Sequence, residues 1–129
     1  MQCVVVTPEA TVLDEPAEFI ALPLYDGEIG IAPHHSPMIG RLGFGEMRIR
    51  QKDRTIRYYV DGGFVQVADD VVSVLTNRAI PAKDLNLQQA KEQLAAVRSR
   101  PANSDELLAI RDRLETQARA QIRVAERAR

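Results

Sequence analysis

The sequence contains no tryptophan and few other aromatic residues, with only three tyrosines and three phenylalanines in 129 residues. Its core must therefore be built mainly from aliphatic side chains. Cys3 is the only cysteine, which excludes an internal disulfide and a metal site made of several cysteines. A catalytic thiol is formally possible, but the apolar run around Cys3 favours a small buried hydrophobic side chain.

Long apolar runs are also absent. No segment approaches the roughly 18 apolar residues that mark a membrane-spanning helix, so we expect no direct insertion into a membrane. The first residues have no basic stretch and only a short apolar run, Cys3–Val6, and we expect no signal peptide. With 45% hydrophobic and 27% charged residues, the composition is typical of a globular protein.

Charge and pattern divide the chain near Ala82. Residues 1–82 carry 7 lysines and arginines against 11 acidic residues, whereas residues 83–129 carry 10 against 7. The first part is thus acidic and the second basic, and we predict two domains with these bounds. Because the acidic part has no cluster of basic and aromatic residues, we expect no nucleic acid as a partner.

Residues 1–82 consist of short apolar or alternating runs separated by turn signals, which is typical of a two-sheet sandwich or a barrel. In the run "GEMRIRQ", Met47 and Ile49 would lie on one face and the arginines on the other. Asp69 and Asp70 separate two further runs and predict a tight hairpin.

The segment "DGG" at residues 61–63 follows the run "TIRYYV". Glycine adopts positive φ without steric cost, so a turn is expected here. The segment resembles a phosphate-binding loop only superficially, because it lacks the Lys-Ser/Thr ending and precedes a strand. A hairpin turn is the better interpretation.

Residues 83–129 have helical periodicity instead. Leu87, Ala90, Leu94 and Val97 form one apolar stripe, and Asp84 is predicted to cap the N-terminus of this helix. The stripe predicts an amphipathic helix that buries one face.

A second helix is predicted after Pro101, which lacks an N–H and ends the first helix. Asn103 and Glu106 form an approximate capping box for it. Because the connection is short, the two helices should form an antiparallel hairpin. Its many interface alanines bury little apolar surface. The second apolar stripe comprises Leu107, Ile110, Leu114, Ala118, Ile122 and Ala125.

Two stretches of the chain resemble the epsilon subunit of the F-type ATP synthase. Asp26–Ile49 is similar to that family's Gly-Glu-Leu-Gly, Pro-x-His-x-Pro and Gly-Glu-x-Arg-Ile patterns, and Tyr59–Ile80 to its Gly-Gly-aromatic-Val-x-Val pattern. The resemblance implies an N-terminal two-sheet β-sandwich followed by a C-terminal antiparallel α-helical hairpin. It also implies a non-catalytic subunit of the rotary central stalk, which binds the gamma subunit and the c subunits of the membrane rotor ring.

The same resemblance implies a role for each domain. Residues 1–82 would couple gamma to the rotor ring during proton-driven ATP synthesis. Residues 83–129 would extend along gamma toward the alpha/beta catalytic head and inhibit ATP hydrolysis. The chain would need no cofactor and would lie peripherally at the cytoplasmic face of the bacterial plasma membrane, which is favoured over the thylakoid membrane.

The alternative is a free-standing β-sandwich that binds a small ligand or a peptide and carries a helical oligomerisation tail. Stable assembly with gamma would distinguish the two hypotheses, because only the first requires it. A histidine-dependent hydrolase lacks the supporting residues.

Both histidines of the chain, His34 and His35, lie between Pro33 and Pro37. Neighbouring side chains on an extended chain point to opposite sides, which disfavours a shared metal ion, and no local residue completes a catalytic arrangement. A plain surface loop and a partner-contact loop remain. The resemblance, in which His35 matches the histidine of Pro-x-His-x-Pro, favours contact with gamma.

Glu28 lies in the sequence Gly-Glu-Ile-Gly, where the glycines allow another backbone to come close. The resemblance implies that this segment is a loop facing the rotor ring. A solvated turn carboxylate is the equally weighted alternative.

Arg119, Arg123 and Arg127 recur every four residues and predict a basic stripe on the last helix. Arg129 adds a fourth arginine, while only Glu126 lies among them. Guanidinium groups pair bidentately with carboxylates, so we expect an acidic partner. The resemblance implies an inhibitory contact with the beta subunit of the catalytic head, and a solvated helix face is the alternative.

Some members of the family bind ATP through an Ile/Leu-Asp-x-x-Arg-Ala motif together with arginines on the second helix. In this chain Asn86 replaces the aspartate and Gln89 replaces the arginine. Each lost charge removes a charge-assisted contact of about 1.5–3 kcal/mol, so weak or absent nucleotide binding is expected. The corresponding positions are Leu85, Asn86, Gln89, Ala90, Arg119 and Arg123.

Overall fold

A computed structural model describes residues 1–127, which form two compact units, Met1–Pro81 and a second unit that begins at Ala82. The first unit contains ten strands in two five-stranded sheets, and the second contains two α-helices. The predicted fold class is confirmed, and the two separate sheets exclude the barrel.

Each sheet is almost entirely antiparallel. Among residues 1–127, only the pairing of the first strand, Gln2–Val6, with the ninth, Val71–Leu75, runs parallel. The first sheet has the order β2-β1-β9-β8-β5, with β1 Gln2–Val6, β2 Thr11–Pro16, β5 Met38–Arg41, β8 Phe64–Ala68 and β9 Val71–Leu75. The second has the order β10-β7-β6-β3-β4, with β3 Phe19–Leu24, β4 Gly27–Ile31, β6 Phe44–Arg50, β7 Thr55–Asp61 and β10 Ala79–Pro81.

An aliphatic core fills the space between the sheets. The predicted alternation of β6 is confirmed, since Met47 and Ile49 are fully buried whereas Arg50 is exposed. Cys3 is also fully buried, as expected of a small hydrophobic side chain. The core takes side chains from both sheets, among them Val5, Ile20, Leu22, Ile31, Val60, Val65, Val72 and Val74.

The segment 61–63 is a turn, but the predicted hairpin is wrong. β7 belongs to the second sheet and β8 to the first, so the turn carries the chain from one sheet to the other. Gly62 and Gly63 have φ values of 71° and 104°. A Cβ at Gly63 would overlap the carbonyl oxygen of Leu75. Glycine is required because the crossover brings two backbones together.

The predicted hairpin at Asp69 and Asp70 is confirmed by the antiparallel pairing of β8 with β9. Both aspartates have positive φ, 51° and 61°. Two consecutive residues with positive φ match the twist of a two-residue hairpin, and aspartate tolerates this conformation better than most residues.

In the second unit, a 3-10 turn (Ala82–Asp84) precedes α1 (Leu87–Arg98) and α2 (Asp105–Arg127). The prediction that Asp84 caps α1 is wrong, because Asp84 belongs to the 3-10 turn. Asn86 is the cap, and its Oδ1 accepts a hydrogen bond of 3.0 Å from the Gln89 N–H. The extra turn moves the helix start by two residues.

The capping box predicted at Asn103 and Glu106 is also wrong. Ser104 is the capping residue of α2, since its hydroxyl oxygen accepts a 3.1 Å hydrogen bond from the Leu107 N–H. Serine and asparagine have similar preferences for the N-cap position. Local sequence therefore could not decide between Asn103 and the adjacent Ser104.

The predicted apolar stripe of α2 is buried only in its second half. Ala118 and Ala125 are buried, whereas Leu107 and Ile110 are 45% and 41% exposed. Arg98, the last residue of α1, pairs with Glu115 on the third turn of α2, so the start of α2 extends beyond the end of α1. No helix among residues 1–127 is long and apolar enough to cross a membrane.

Candidate functional site

Residues 32–37, here called the histidine loop, connect β4 of the second sheet to β5 of the first. His34 is exposed and has a φ of 65°. The His35 ring is half-buried, with its Nδ1 2.7 Å from the Ser36 carbonyl oxygen. With Nδ1 protonated, His35 donates to its own loop, and His34 presents its side chain to the surroundings.

Asp70 ties the histidine loop to the β8–β9 hairpin. Its Oδ1 accepts a 2.8 Å hydrogen bond from the backbone N–H of His34, 36 residues away in sequence. Its Oδ2 lies 3.7 Å from the amino group of Met1. The His34 hydrogen bond is the main cause that holds the pKa of Asp70 below its usual value. Sequence reasoning missed this contact, because the Asp-Asp pair indicated only a turn.

Among residues 1–127, no three His, Cys, Asp or Glu side chains are grouped so that they could hold a metal ion. His34 and His35 contact different partners, Asp70 through the backbone and Ser36 through the ring. The histidine loop is therefore a polar surface loop in which the two histidines make separate contacts.

Glu28 lies on strand β4, opposite Pro23, and not in a loop. Its Oε1 is 3.3 Å from an Arg48 guanidinium nitrogen. Glu28 is the second residue of β4, whereas the histidine loop begins after the last, and the strand spans about 13 Å at roughly 3.3 Å per residue. The structure does not bring these predicted contact residues together.

Arg48 also joins Glu28 to a charge cluster that sequence reasoning missed. Its second terminal nitrogen lies 3.3 Å from Oε1 of Glu46, a side chain that is only 3% exposed. Oε2 of Glu46 lies 4.0 Å from Arg57 and accepts no hydrogen bond among the described residues. The alternation in "GEMRIRQ" predicted that Arg48 and Arg50 share one face, but it did not indicate that Glu46 would be buried.

Hydrogen bonds of Asp61 with Thr76 and Arg78 hold the crossover turn that follows β7. Arg78 Nε donates a 2.8 Å hydrogen bond to Asp61 Oδ2, and the Thr76 hydroxyl oxygen accepts from the Asp61 N–H at 3.1 Å. Asp61 thus has structural partners on both its side chain and its backbone, as expected of a turn and not of a phosphate-binding loop.

The arginine stripe of α2 is exposed and partly paired. Arg119 lies 2.7 Å from Glu115, which also receives Arg98 from α1. Arg123 and Arg127 form no ion pair within the described part of the chain, and Arg129 lies outside it. Glu126 is the only acidic residue between Arg119 and Arg129 in the sequence, and Glu115 lies before this segment. Because Glu115 pairs with Arg119, fewer arginines of the stripe lack an acidic partner than predicted.

The residues that correspond to the ATP motif have ordinary helical roles. Asn86 caps α1 through the Gln89 N–H. Ala90 is buried, Leu85 is half-buried, and the Gln89 side chain is exposed. An acceptor is retained at the position of the family's aspartate, but its negative charge is not.

Comparisons with known proteins agree along the whole chain. A family model described as ATP synthase, Delta/Epsilon chain, beta-sandwich domain matches residues 1–82. The ATP synthase epsilon chain of Rhodopirellula baltica is 48% identical over 125 residues, covering 97% of this chain and 98% of that protein. The sodium-ion-specific ATP synthase epsilon chain of Propionigenium modestum is 28% identical over 124 residues, covering 95% and 90%.

Two solved structures share the fold. One chain of the Euglena gracilis mitochondrial ATP synthase OSCP/F1/c-ring structure has a TM-score of 0.80 at 24% identity, covering 98% of this chain and 79% of that chain. One chain of the Tetrahymena thermophila mitochondrial ATP synthase central stalk/c-ring structure has a TM-score of 0.78 at 14% identity, covering 97% and 96%.

Proposed function

The chain belongs to the delta/epsilon chain family of ATP synthases, and we propose that it is a non-catalytic subunit of the central stalk that couples gamma to the ring of c subunits. The observation that carries this proposal is the match to an epsilon chain along nearly the full length of both proteins. The complex would use the subunit at the cytoplasmic face of a bacterial plasma membrane, bound peripherally.

The coupling role is assigned to the β-sandwich. Its histidine loop is bounded by Pro33 and Pro37, and its backbone is tied to Asp70. A loop that is ordered before binding loses little conformational entropy on contact. This supports a gamma-binding role for the loop, with the exposed His34 and the adjoining His35 as contact residues.

Glu28 is assigned to the rotor-ring side of the same unit. It is 57% exposed although it pairs with Arg48, so its carboxylate keeps a free surface for a polar partner. Two contacts near opposite ends of β4 suit a coupler, because force applied at one end is transmitted through the hydrogen bonds of the sheet.

The two-helix unit is assigned to inhibition of ATP hydrolysis. Arg119, Arg123 and Arg127 would pair with carboxylates of the catalytic head. Arg123 and Arg127, which form no ion pair among residues 1–127, would contribute most. Nucleotide regulation is not proposed, because Asn86 and Gln89 lack the charges of the family's ATP motif.

The decisive experiment is ATP hydrolysis by the assembled catalytic complex with the full chain or with residues 83–129 deleted. Deletion should raise the hydrolysis rate while the shortened chain still co-purifies with gamma. Failure of the full chain to co-purify with gamma would exclude the stalk role and favour a free-standing binding module.

A further inference from the structure

The histidine loop has an unusual backbone for a surface connection. His34 is not glycine, yet its φ is 65°, in the left-handed region that is uncommon for other residues, although histidine adopts it more often than most. No hydrogen bond of its side chain accounts for this conformation within residues 1–127. The feature that coincides with it is the hydrogen bond from the His34 N–H to Asp70.

Asp70 is itself held in a defined position. It has a φ of 61° in the two-residue β8–β9 turn, and its carbonyl oxygen accepts a 3.0 Å hydrogen bond from the Gln2 N–H of β1. Its carboxylate therefore projects from a point fixed by three strands of the first sheet. The groups that face this carboxylate are the His34 backbone and the Met1 amino group.

We propose that Asp70 is a positioning residue for partner docking: its carboxylate holds the His34 backbone in the left-handed conformation and so sets the shape of the histidine loop that meets gamma. The inference rests on the proposed gamma-binding role of the loop. Asp70 itself need not touch the partner, because it acts through the backbone of His34.

The turn provides a matched control. Asp69 precedes Asp70, has a similar φ of 51°, and forms no hydrogen bond or ion pair with the histidine loop among the described residues. Glycine at either position relieves the backbone strain of the turn, so Asp69→Gly and Asp70→Gly differ in two contacts that only Asp70 makes, the acceptor for the His34 N–H and the ion pair with the Met1 amino group. Asp70→Asn retains an acceptor oxygen and tolerates positive φ.

The test uses the full chain with each substitution. Hydrogen exchange by NMR reports the His34 amide, with the Ser36 amide as an internal reference that lacks such an acceptor in the described chain. Calorimetry with the cognate purified gamma subunit gives the Kd. Asp70→Gly should remove the protection of His34 and weaken gamma binding about tenfold, because without the hydrogen bond the left-handed loop becomes a minor population of the free chain. Asp69→Gly should stay within about twofold of the unmodified chain, and Asp70→Asn, which keeps an acceptor oxygen without the charge, should give a Kd between those of the unmodified chain and Asp70→Gly.

Two results would overturn the inference. One is an unprotected His34 amide in the unmodified chain, a measurement that needs no variant to fold. The other is an unchanged Kd for Asp70→Gly when the double variant His34→Gln, His35→Gln binds gamma more weakly. A third outcome is that the double variant binds gamma normally while Asp70→Gly still exposes the His34 amide. In that case the loop does not bind gamma, and the proposed positioning role of Asp70 in docking is wrong as well.

Discussion

At the scale of one residue, burial in the sandwich changes the acidity of the Cys3 thiol. Burial first, and then the nearby carboxylates of Asp14 and Glu15, raise the pKa of the Cys3 thiol from 9.0 to about 12. The thiolate is the reactive form of cysteine, and it is nearly absent from the folded chain at neutral pH.

We expect Ellman's reagent to leave the native chain unmodified at pH 8 and to react with one thiol per chain in urea. Between pH 9 and about 12 the unfolded chain loses this proton while the folded chain keeps it, so the free energy of unfolding should fall as the pH rises through that window. Rapid labelling of the native chain would contradict the buried position, and Cys3→Ala supplies the unreactive control.

The crossover turn provides a second test at a single position. Gly63→Ala should lower the free energy of unfolding by about 3 kcal/mol, because its Cβ meets the Leu75 backbone at a positive φ. Gly62→Ala is the matched control. It also has a positive φ, but its nearest neighbours are 3.6 Å away, so about 1 kcal/mol is expected. Urea titration compares the two, and equal losses would show that strain alone explains both.

At the scale of elements, α1 combines a structural cap with a degenerate nucleotide motif. Asn86 already places an oxygen where the family's aspartate would stand, and that oxygen accepts from the Gln89 N–H. Aspartate caps helices as well as asparagine does, so a charge can be restored here without disturbing the helix.

Calorimetry with millimolar MgATP should detect no binding to the unmodified chain. The double variant Asn86→Asp, Gln89→Arg should bind measurably, because it restores one carboxylate and one guanidinium. Circular dichroism should give both chains the same helix content. Tight binding by the unmodified chain would show that these two positions do not decide nucleotide affinity.

At the scale of the whole molecule, the two units divide the proposed work. The core of the first unit draws only on residues before Ala82, so a chain ending at that residue should fold alone and bind gamma with an unchanged Kd. Cooperative thermal unfolding and calorimetry would test this. Loss of folding or of gamma binding would show that the proposed domain boundary is wrong.

The arginine stripe is tested in the assembled complex. Replacing Arg119, Arg123 and Arg127 by alanine should raise ATP hydrolysis on the order of 2- to 10-fold, the range expected when a few exposed ion pairs are lost. Arg119→Ala alone should have a smaller effect, since Glu115 already pairs with Arg119.

Arg→Lys versions of the three positions should restore inhibition only partly, because lysine lacks the bidentate guanidinium, and higher salt should weaken inhibition by the unmodified chain. Gamma binding measured alongside serves as the control for assembly. Hydrolysis at the unmodified rate across salt concentrations would identify the stripe as a solvated helix face.

The sequence by itself determined the features that depend on local periodicity. Alternation every two residues predicted strands such as β6, with Met47 and Ile49 inside, and spacing every three to four residues predicted both helices. Family motifs supplied the epsilon identity. These signals are readable because side-chain direction repeats regularly along strands and helices.

Only the tertiary structure decided the features that depend on residues distant in sequence. The Asp61–Gly63 turn became a crossover because β7 and β8 pair with different sheets. Leu107 and Ile110 stayed exposed because α2 begins beyond the end of α1. Asp70 reached His34 across 36 residues because a hairpin turn and a loop meet at one end of the sandwich. No local pattern encodes such contacts, since they arise from strand order and helix alignment.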